Sequence, residues 1–399
     1  MPDRPGLLVL MGSGETSPTM VEIHRSVVRE LGPAPRAVLL DTPYAFQENA
    51  ADISARACGY FARSVGLRVE VGTEVDEADW VFSGPGSPTF ALDRWTESPT
   101  AGGLRARVRR GRGVTVLASA AACTAGLATV PVYEIYKVGA EPHWRDGLDL
   151  LAALGLRVAV IPHYDNAEGG THDTRYCYLG ERRLARMERE LPPGAAVLGI
   201  DEHTAVLIDL RTERVTVAGR GGLTVRLGGG GTTLPAGTGT DLAEIRRLAR
   251  GGTPAPAPPA AATAARTGQA TLEETVRSRE HDLRAALAAH DTGAALQAVL
   301  DLEEEIAAWA ADTEEDAGGV REARRALRSL IVTLGRLADP REPRDRVAAP
   351  VRPLVALRDE LRRAHRYDLA DALRVALLHG GVLVEDTPDG PRWDLTPPP

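Results

Sequence analysis

Lysine is almost missing from this chain: among 47 basic residues, Lys137 is the only one. A single amine is therefore left for Schiff-base or P-loop chemistry, and it sits in no glycine-rich loop. The arginine bias reads as the signature of a GC-rich genome. Cysteine is scarce as well. Cys58, Cys123 and Cys177 are far apart, form no CxxC pair and offer no disulfide framework, which fits a reducing, cytoplasmic setting. Long apolar runs are absent. Nothing reaches the length of a membrane span, and Leu7–Met11, behind a short polar start, is too brief for a secretory core. No membrane partner is expected. Excess positive charge is lacking too: the net charge is −8, which argues against general nucleic-acid binding. His163, Asp165, His172 and Asp173 are close in sequence but match no HExxH or other tight ligand spacing. Neither a metal nor a cofactor is expected.

What is present is enough apolar material, 43% of 399 residues, for more than one core. Through about residue 250, short apolar runs alternate with amphipathic segments. Leu7–Met11, Ala37–Leu40, Arg68–Val71, Trp80–Phe82, Val114–Leu117, Val158–Ile161 and Ala196–Ile200 read as strands. Between them, Thr19–Leu31, Glu48–Val65, Leu104–Arg110, Leu148–Leu154 and Arg182–Leu191 read as helices. This alternation predicts an α/β fold, a doubly wound and mostly parallel sheet covered on both faces. Thr204–Leu210, Arg214–Ala218 and Leu223–Leu227 follow as antiparallel strands expected at an edge.

Residues 251–270 are dominated by Pro and Ala and read as an extended linker. Residues 271–399 then form a separate, mainly α-helical domain. There Leu354, Leu357, Leu361, Leu369, Leu373 and Leu377 recur at three- and four-residue steps or their multiples, the pattern of a helix stripe facing a core. Gly380-Gly381 ends the helix, and Val382–Val384 with Thr387-Pro388-Asp389-Gly390 reads as a strand and a turn.

The chemistry-bearing segments fall at the carboxyl ends of expected strands, where open α/β sheets place their sites. In residues 114–126, VTVLASAAACTAG, an apolar run meets a lone hydroxyl, Ser119, followed by small residues. A sharp strand-to-helix turn there lifts the serine above the sheet edge as a candidate nucleophile, and the small neighbours relieve a crowded backbone. Pro162-His163-Tyr164-Asp165-Asn166 supplies His163 as the general base. An acid that orients the imidazole has two candidates, Glu202 after one strand and Glu134 in the loop after the elbow helix. Gly84-Pro85-Gly86-Ser87 supplies a backbone N–H around Gly86 for an oxyanion hole, and the N–H of Ala120 supplies another. Glu15 and Arg175 are candidates for recognising a charged peptide end.

Together these residues resemble the cyanophycinase and dipeptidase E family of serine peptidases over about residues 6–235. The elbow reads Ser119-Ala120-Ala121-Ala122, and the Gly-rich turn runs from Gly84 into Thr89-Phe90-Ala91-Leu92. Pro162–Asn166 matches the histidine segment of the dipeptidase E branch. Gly199-Ile200-Asp201-Glu202-His203-Thr204-Ala205 matches the acid-bearing strand end of the cyanophycinase branch. The dipeptidase E branch instead implies an acid at Glu134. The resemblance implies a class I glutamine amidotransferase-like fold and an amide-cleaving hydrolase acting on a small peptide or amide. One departure stands out. Leu117 and Ala121 occupy places where the family elbow carries glycine, and a Cβ at either crowds the turn. That predicts a deeper serine and supports an alternative, a catalytically inactive binding or scaffold homologue with a long Ser119–His163 separation.

Residues 350–395 carry a second resemblance. Ala370-Asp371-Ala372-Leu373-Arg374 and Glu385-Asp386-Thr387-Pro388-Asp389-Gly390-Pro391-Arg392-Trp393 are similar to the C-terminal end of bacterial cysteinyl-tRNA synthetases. That end belongs to the anticodon-binding region, so the resemblance opens a tRNA-linked role. The window has seven Arg against eight acids, which gives no basic surface for RNA. A packing or self-association module is the other reading of this segment.

Overall fold

The computed structural model describes residues 5–253, 270–310, 318–337, 343–388 and 390–396. Most of the expected linker, residues 254–269, lies outside them. In chain order the first strands and helices are β1 (Gly6–Met11), α1 (Val21–Arg29), β2 (Ala37–Leu39), α2 (Ala50–Tyr60), β3 (Glu70–Val71), β4 (Trp80–Ser83), α3 (Pro88–Thr96), α4 (Pro99–Arg110), β5 (Gly113–Ala118) and α5 (Ser119–Cys123). A short ribbon, β6 (Ala128–Thr129) and β7 (Arg145–Asp146), precedes β8 (Val158–Ile161), α6 (Gly180–Glu188) and β9 (Ala196–Ile200). Then come β10 (Thr204–Asp209), β11 (Arg214–Gly219), β12 (Gly222–Leu227), β13 (Gly230–Pro235), β14 (Gly239–Asp241) and α7 (Leu242–Ala249).

The α/β architecture is as the alternation implied, with a finer difference. The larger sheet has eight strands in the order β14-β11-β10-β1-β5-β4-β2-β3. From β1 to β3 every neighbouring pair is parallel; β10, β11 and β14 are antiparallel. Strands β8 and β9, expected in the same sheet, form a second one in the order β13-β12-β9-β8. The later strands are not all at an edge: β10 pairs with β1 inside the larger sheet, whereas β12 pairs with β9. Between β11 and β12 the chain changes sheets. Gly219 makes this possible with φ +111°, at a place where a Cβ would lie 2.2 Å from the His203 carbonyl oxygen.

Strand alternation divides the core of the larger sheet. On β5, Val114, Val116 and Ala118 join one apolar layer with Val9, Met11, Trp80 and Phe82, packed under α1 and α2. Leu117 joins the opposite layer with Leu8, Leu10, Val81, Trp95 and Leu104. Each fully buried side chain of this size contributes about 1.5–3 kcal/mol, so the strand carrying Ser119 is clamped from both faces. A third cluster, including Tyr164, Tyr176, Leu184 and Met187, packs on the smaller sheet.

The chain divides into two compact units at residues 327/328. The first unit therefore takes in α8 (Leu272–Ala288), α9 (Thr292–Trp309) and the start of α10 (Gly318–Leu337). The second unit contains α11 (Pro343–Arg363), α12 (Tyr367–His379) and a hairpin of β15 (Val382–Thr387) and β16 (Gly390–Leu395). Only part of the leucine stripe faces the core: Leu377 lies in it and Leu373 packs against it. Leu354, Leu357 and Leu369 are 39–46% exposed, while Val351, Val355, Leu377, Val382 and Val384 form the core. Within α11 the buried positions Val351, Val355 and Arg358 present a face one residue off Leu354 and Leu357, and the helix then ends before Ala364–Arg366, where His365 has φ +59°. Among the described residues no helix is long and apolar enough to cross a membrane.

Candidate active site

Ser119 stands on the first residue of α5, directly after β5, with φ +47°. A non-glycine residue is seldom found in that region, and such strain persists only where surrounding packing over-determines it. Here the clamp is visible: Ala118, Ala121 and Ala122 are completely buried, and the N–H of Ala121 donates to the Gly84 carbonyl at 3.2 Å. Leu117 and Ala121 do not prevent the turn, because both Cβ groups face the apolar layer beneath the sheet. Ser119 itself is 8% exposed and lines a cavity of about 1200 Å³.

His163 follows β8 by two residues, also with φ +47°. Its N–H donates to the Gly12 carbonyl, and its own carbonyl accepts from Cys177 N–H at 3.1 Å. Tyr176, Cys177 and Tyr178 all have positive φ, between 55° and 63°. This left-handed turn places Tyr178 6.2 Å from the His163 ring, measured between centroids. Backbone strain is thus concentrated around the imidazole.

The ring joins two side chains. Its Nε2 lies 2.9 Å from Ser119 Oγ, and its Nδ1 lies 2.9 Å from Glu202 Oε1. Glu202 follows β9 by two residues. Burial opposes its charge, but hydrogen bonding and attraction from His163, a bond from Asn166 and the nearby His203 outweigh that cost and hold the carboxyl below its ordinary range. An ionised carboxylate only accepts, so Nδ1 carries the proton and Nε2 is left to accept from the serine hydroxyl. Of the two acid candidates, the structure brings Glu202 to the ring. Glu134 accepts from the Thr89 hydroxyl at 3.2 Å instead.

Two further side chains fix Glu202. Asn166, 1% exposed, donates its amide to Oε1 at 2.9 Å, and Asp165 accepts from the Glu202 N–H at 2.7 Å. Sequence pattern places both within the histidine segment and gives neither a role of its own. The adjacent Asp201 is pushed up to about 6, by burial first and then by Asp165, against a hydrogen bond from Gly222 N–H.

Of the proposed oxyanion donors, Gly86 and Ala120 line the cavity. Gly86 has φ +128°, where a Cβ would lie 2.2 Å from the Pro43 carbonyl oxygen. Ala120 lies in the first turn of α5, where backbone N–H groups have no intrahelical acceptor. Gly84 contributes through its carbonyl, which anchors Ala121. Glu15 and Arg175 are elsewhere. Glu15 is completely buried and its carbonyl accepts from His24; Arg175 pairs with Asp173 at 2.8 Å. Neither lines the cavity. Cys123 does line it, but burial pushes its thiol up to about 12, so it is protonated at neutral pH. Among the described residues no cluster of three or more His, Cys, Asp or Glu has a metal-holding arrangement.

No family model matches the chain. Among curated proteins it is similar to the cysteine–tRNA ligase of Symbiobacterium thermophilum, 34% identical over 131 residues, which is 31% of this chain and 26% of the ligase. It is also similar to a cysteine–tRNA ligase of Thermus thermophilus, 52% identical over 42 residues, or 10% of this chain and 9% of that enzyme. The chain thus spans about a quarter or less of the curated relatives it matches. Among solved structures it is similar to a peptidase from an acI-B1 Actinobacterium, with a TM-score of 0.48 and 20% identity, covering 59% of this chain and 97% of that one. A second is a putative peptidase E protein from Listeria monocytogenes EGD-e, with a TM-score of 0.37 and 14% identity, covering 54% and 98%.

Proposed function

We propose that the chain is a serine hydrolase of the peptidase type that cleaves an amide bond of a small peptide. The observation that carries this reading is the unbroken Ser119–His163–Glu202 relay, 2.9 Å at each step, opening on a cavity. In the proposed reaction Ser119 Oγ attacks the amide carbon while Nε2 of His163 takes its proton. Glu202 holds the tautomer and stabilises the imidazolium, and the N–H groups of Ala120 and Gly86 receive the oxyanion. When the tetrahedral intermediate collapses, the C–N bond breaks and His163 returns the proton to the leaving amine. Water then repeats the sequence on the acyl-serine and frees the acid. The scaffold alternative required a long Ser119–His163 separation, and the 2.9 Å contact weighs against it. The likeness to cysteine–tRNA ligases spans too little of those enzymes to bring aminoacylation into the proposal.

The test compares wild type with Ser119→Ala on a panel of short peptides and on a fluorophosphonate probe. The expected loss in kcat is on the order of 10⁴-fold or more, with probe labelling abolished. Equal residual turnover in the two proteins would remove Ser119 from the reaction.

A further inference from the structure

The cavity that holds Ser119, His163 and Glu202 is not closed by the α/β sheets alone. Leu272, Glu273, Trp309, Val320 and Arg324 line it as well, all from beyond the linker. We propose that α8, α9 and the start of α10 are a working wall of the active site, and that Trp309 restricts the pocket to short peptides. The substrate part of this inference rests on the hydrolase reading above.

The wall is tied to the residue beside the acid. Thr271 and Glu274 cap α8 reciprocally, at 3.1 and 2.9 Å. The same Glu274 carboxylate receives Arg220 Nη2 at 3.0 and 2.9 Å. Arg220 in turn donates its backbone N–H to the His203 carbonyl at 3.0 Å. From the other end, Trp309 closes α9 and meets the His203 ring edge-on, with centroids 5.7 Å apart. The Nδ1 of that ring lies 2.9 Å from Thr19 Oγ1. His203 directly follows Glu202, so both ends of the helical pair converge on the turn that positions the acid. The two helices are packed rather than loose: Leu283 of α8 and Ala295, Ala298, Val299, Leu302 and Ile306 of α9 are buried.

Sites for drug-sized ligands occupy about 300–1,000 Å³, and 1200 Å³ is just above that range. That volume is enough for a peptide of a few residues. On this proposal the backbone of a longer polypeptide meets Trp309 and the start of α8, which line the cavity.

An accessibility test separates the wall from the chemistry. In full-length Ser119→Cys, alkylation at residue 119 is followed by peptide mass with iodoacetamide and with a polyethylene-glycol maleimide. The small reagent is expected to react and the bulky one to be excluded. Adding Trp309→Ala should raise the bulky rate about tenfold or more, with the small rate nearly unchanged. Glu274→Ala, a change on the outer side of α8, should act in the same direction and serves if Trp309→Ala does not fold. Equal bulky rates in all three proteins would overturn the wall. In parallel, hydrolysis of short peptides and of an unfolded polypeptide is compared in wild type and Trp309→Ala, which is expected to gain the long substrate. Thiol gating without Ser119-dependent hydrolysis would uphold the wall and sink the hydrolase reading. Hydrolysis with an ungated thiol would sink the wall alone.

Discussion

In each unit of the molecule an acid holds a nitrogen base, and two such pairs behave differently. In the first unit Glu202 holds His163 at 2.9 Å. In the second, Asp386 holds Arg358 through two bonds at 2.6 and 2.9 Å, and the Arg358 side chain is completely buried. The second pair has two bonds to the first pair's one, and the shorter contact. Yet a guanidinium cannot release its proton at any working pH, while an imidazole can. His163 also sits among left-handed residues, with a hydroxyl on its other nitrogen and a cavity in front. Arg358 lies within a regular helix, beside Val355 of the unit's small apolar core. A close ion pair on a buried base is therefore no marker of chemistry. A movable proton, backbone strain and open volume at one place are.

The comparison breaks most sharply at Glu202. Glu202→Gln keeps the shape but can favour the wrong imidazole tautomer, so kcat should fall by about 10⁴-fold with the fold intact. Stopped-assay kinetics together with circular dichroism would check this, and a loss below tenfold would mean that the acid does not orient His163. At Arg358 the expected damage is to stability. Arg358→Ala leaves Asp386 with only the longer contact to Arg362, at 3.6 Å, and opens a gap beside the helix–hairpin core, a cost of about 1–3 kcal/mol. Peptide turnover should be unchanged while a low-temperature unfolding transition appears in calorimetry.

The smallest expected effect sharpens the contrast through pH. Asp386 is held below its ordinary range, chiefly by Arg358 against burial. Its contribution is present above the unfolded carboxylate value, about 3.9, and is lost as pH falls through its lower folded value. Asp201 has the opposite sign. With a folded value of about 6, its contribution is present below about 3.9 and is lost as pH rises through about 6. Asp201→Asn, whose amide oxygen can still accept from Gly222 N–H, should flatten the stability profile between about pH 4 and 6 and gain stability at pH 7. Urea midpoints at pH 4.5 and 7 measure this. An unchanged slope would show that Asp201 is not the buried titrating group.

Much of the first unit was legible because local pattern and burial coincide there. The strands Val158–Ile161 and Ala196–Ile200 match their expected bounds residue for residue. Apolar runs of that length between turn residues leave little choice of structure. Ser119 and His163 were legible for a related reason: a polar residue directly after a buried strand is placed by the strand. The choice between Glu202 and Glu134 was not legible. Both follow plausible elements, and only the approach of the β8 and β9 ends settles which carboxylate reaches the ring. Asn166 was missed because a buried amide has no periodic signal.

The helices beyond the linker show the limit of local pattern. Their amphipathic character was readable, but the leucine stripe failed within α11, where Val351, Val355 and Arg358 turn inward in place of Leu354 and Leu357. Likewise, Trp309 is an ordinary helix-end tryptophan until His203, 106 positions earlier in the chain, lies against its ring. By itself the sequence determined the α/β alternation, the strand ends that carry Ser119, His163 and Glu202, and the helical character of the chain beyond the linker, since these depend on neighbours within a few residues. Tertiary structure alone decided the division into two sheets, which acid meets the imidazole, and which distant helices border the cavity. Those outcomes depend on contacts between segments tens to hundreds of residues apart, whose closure no local spacing encodes.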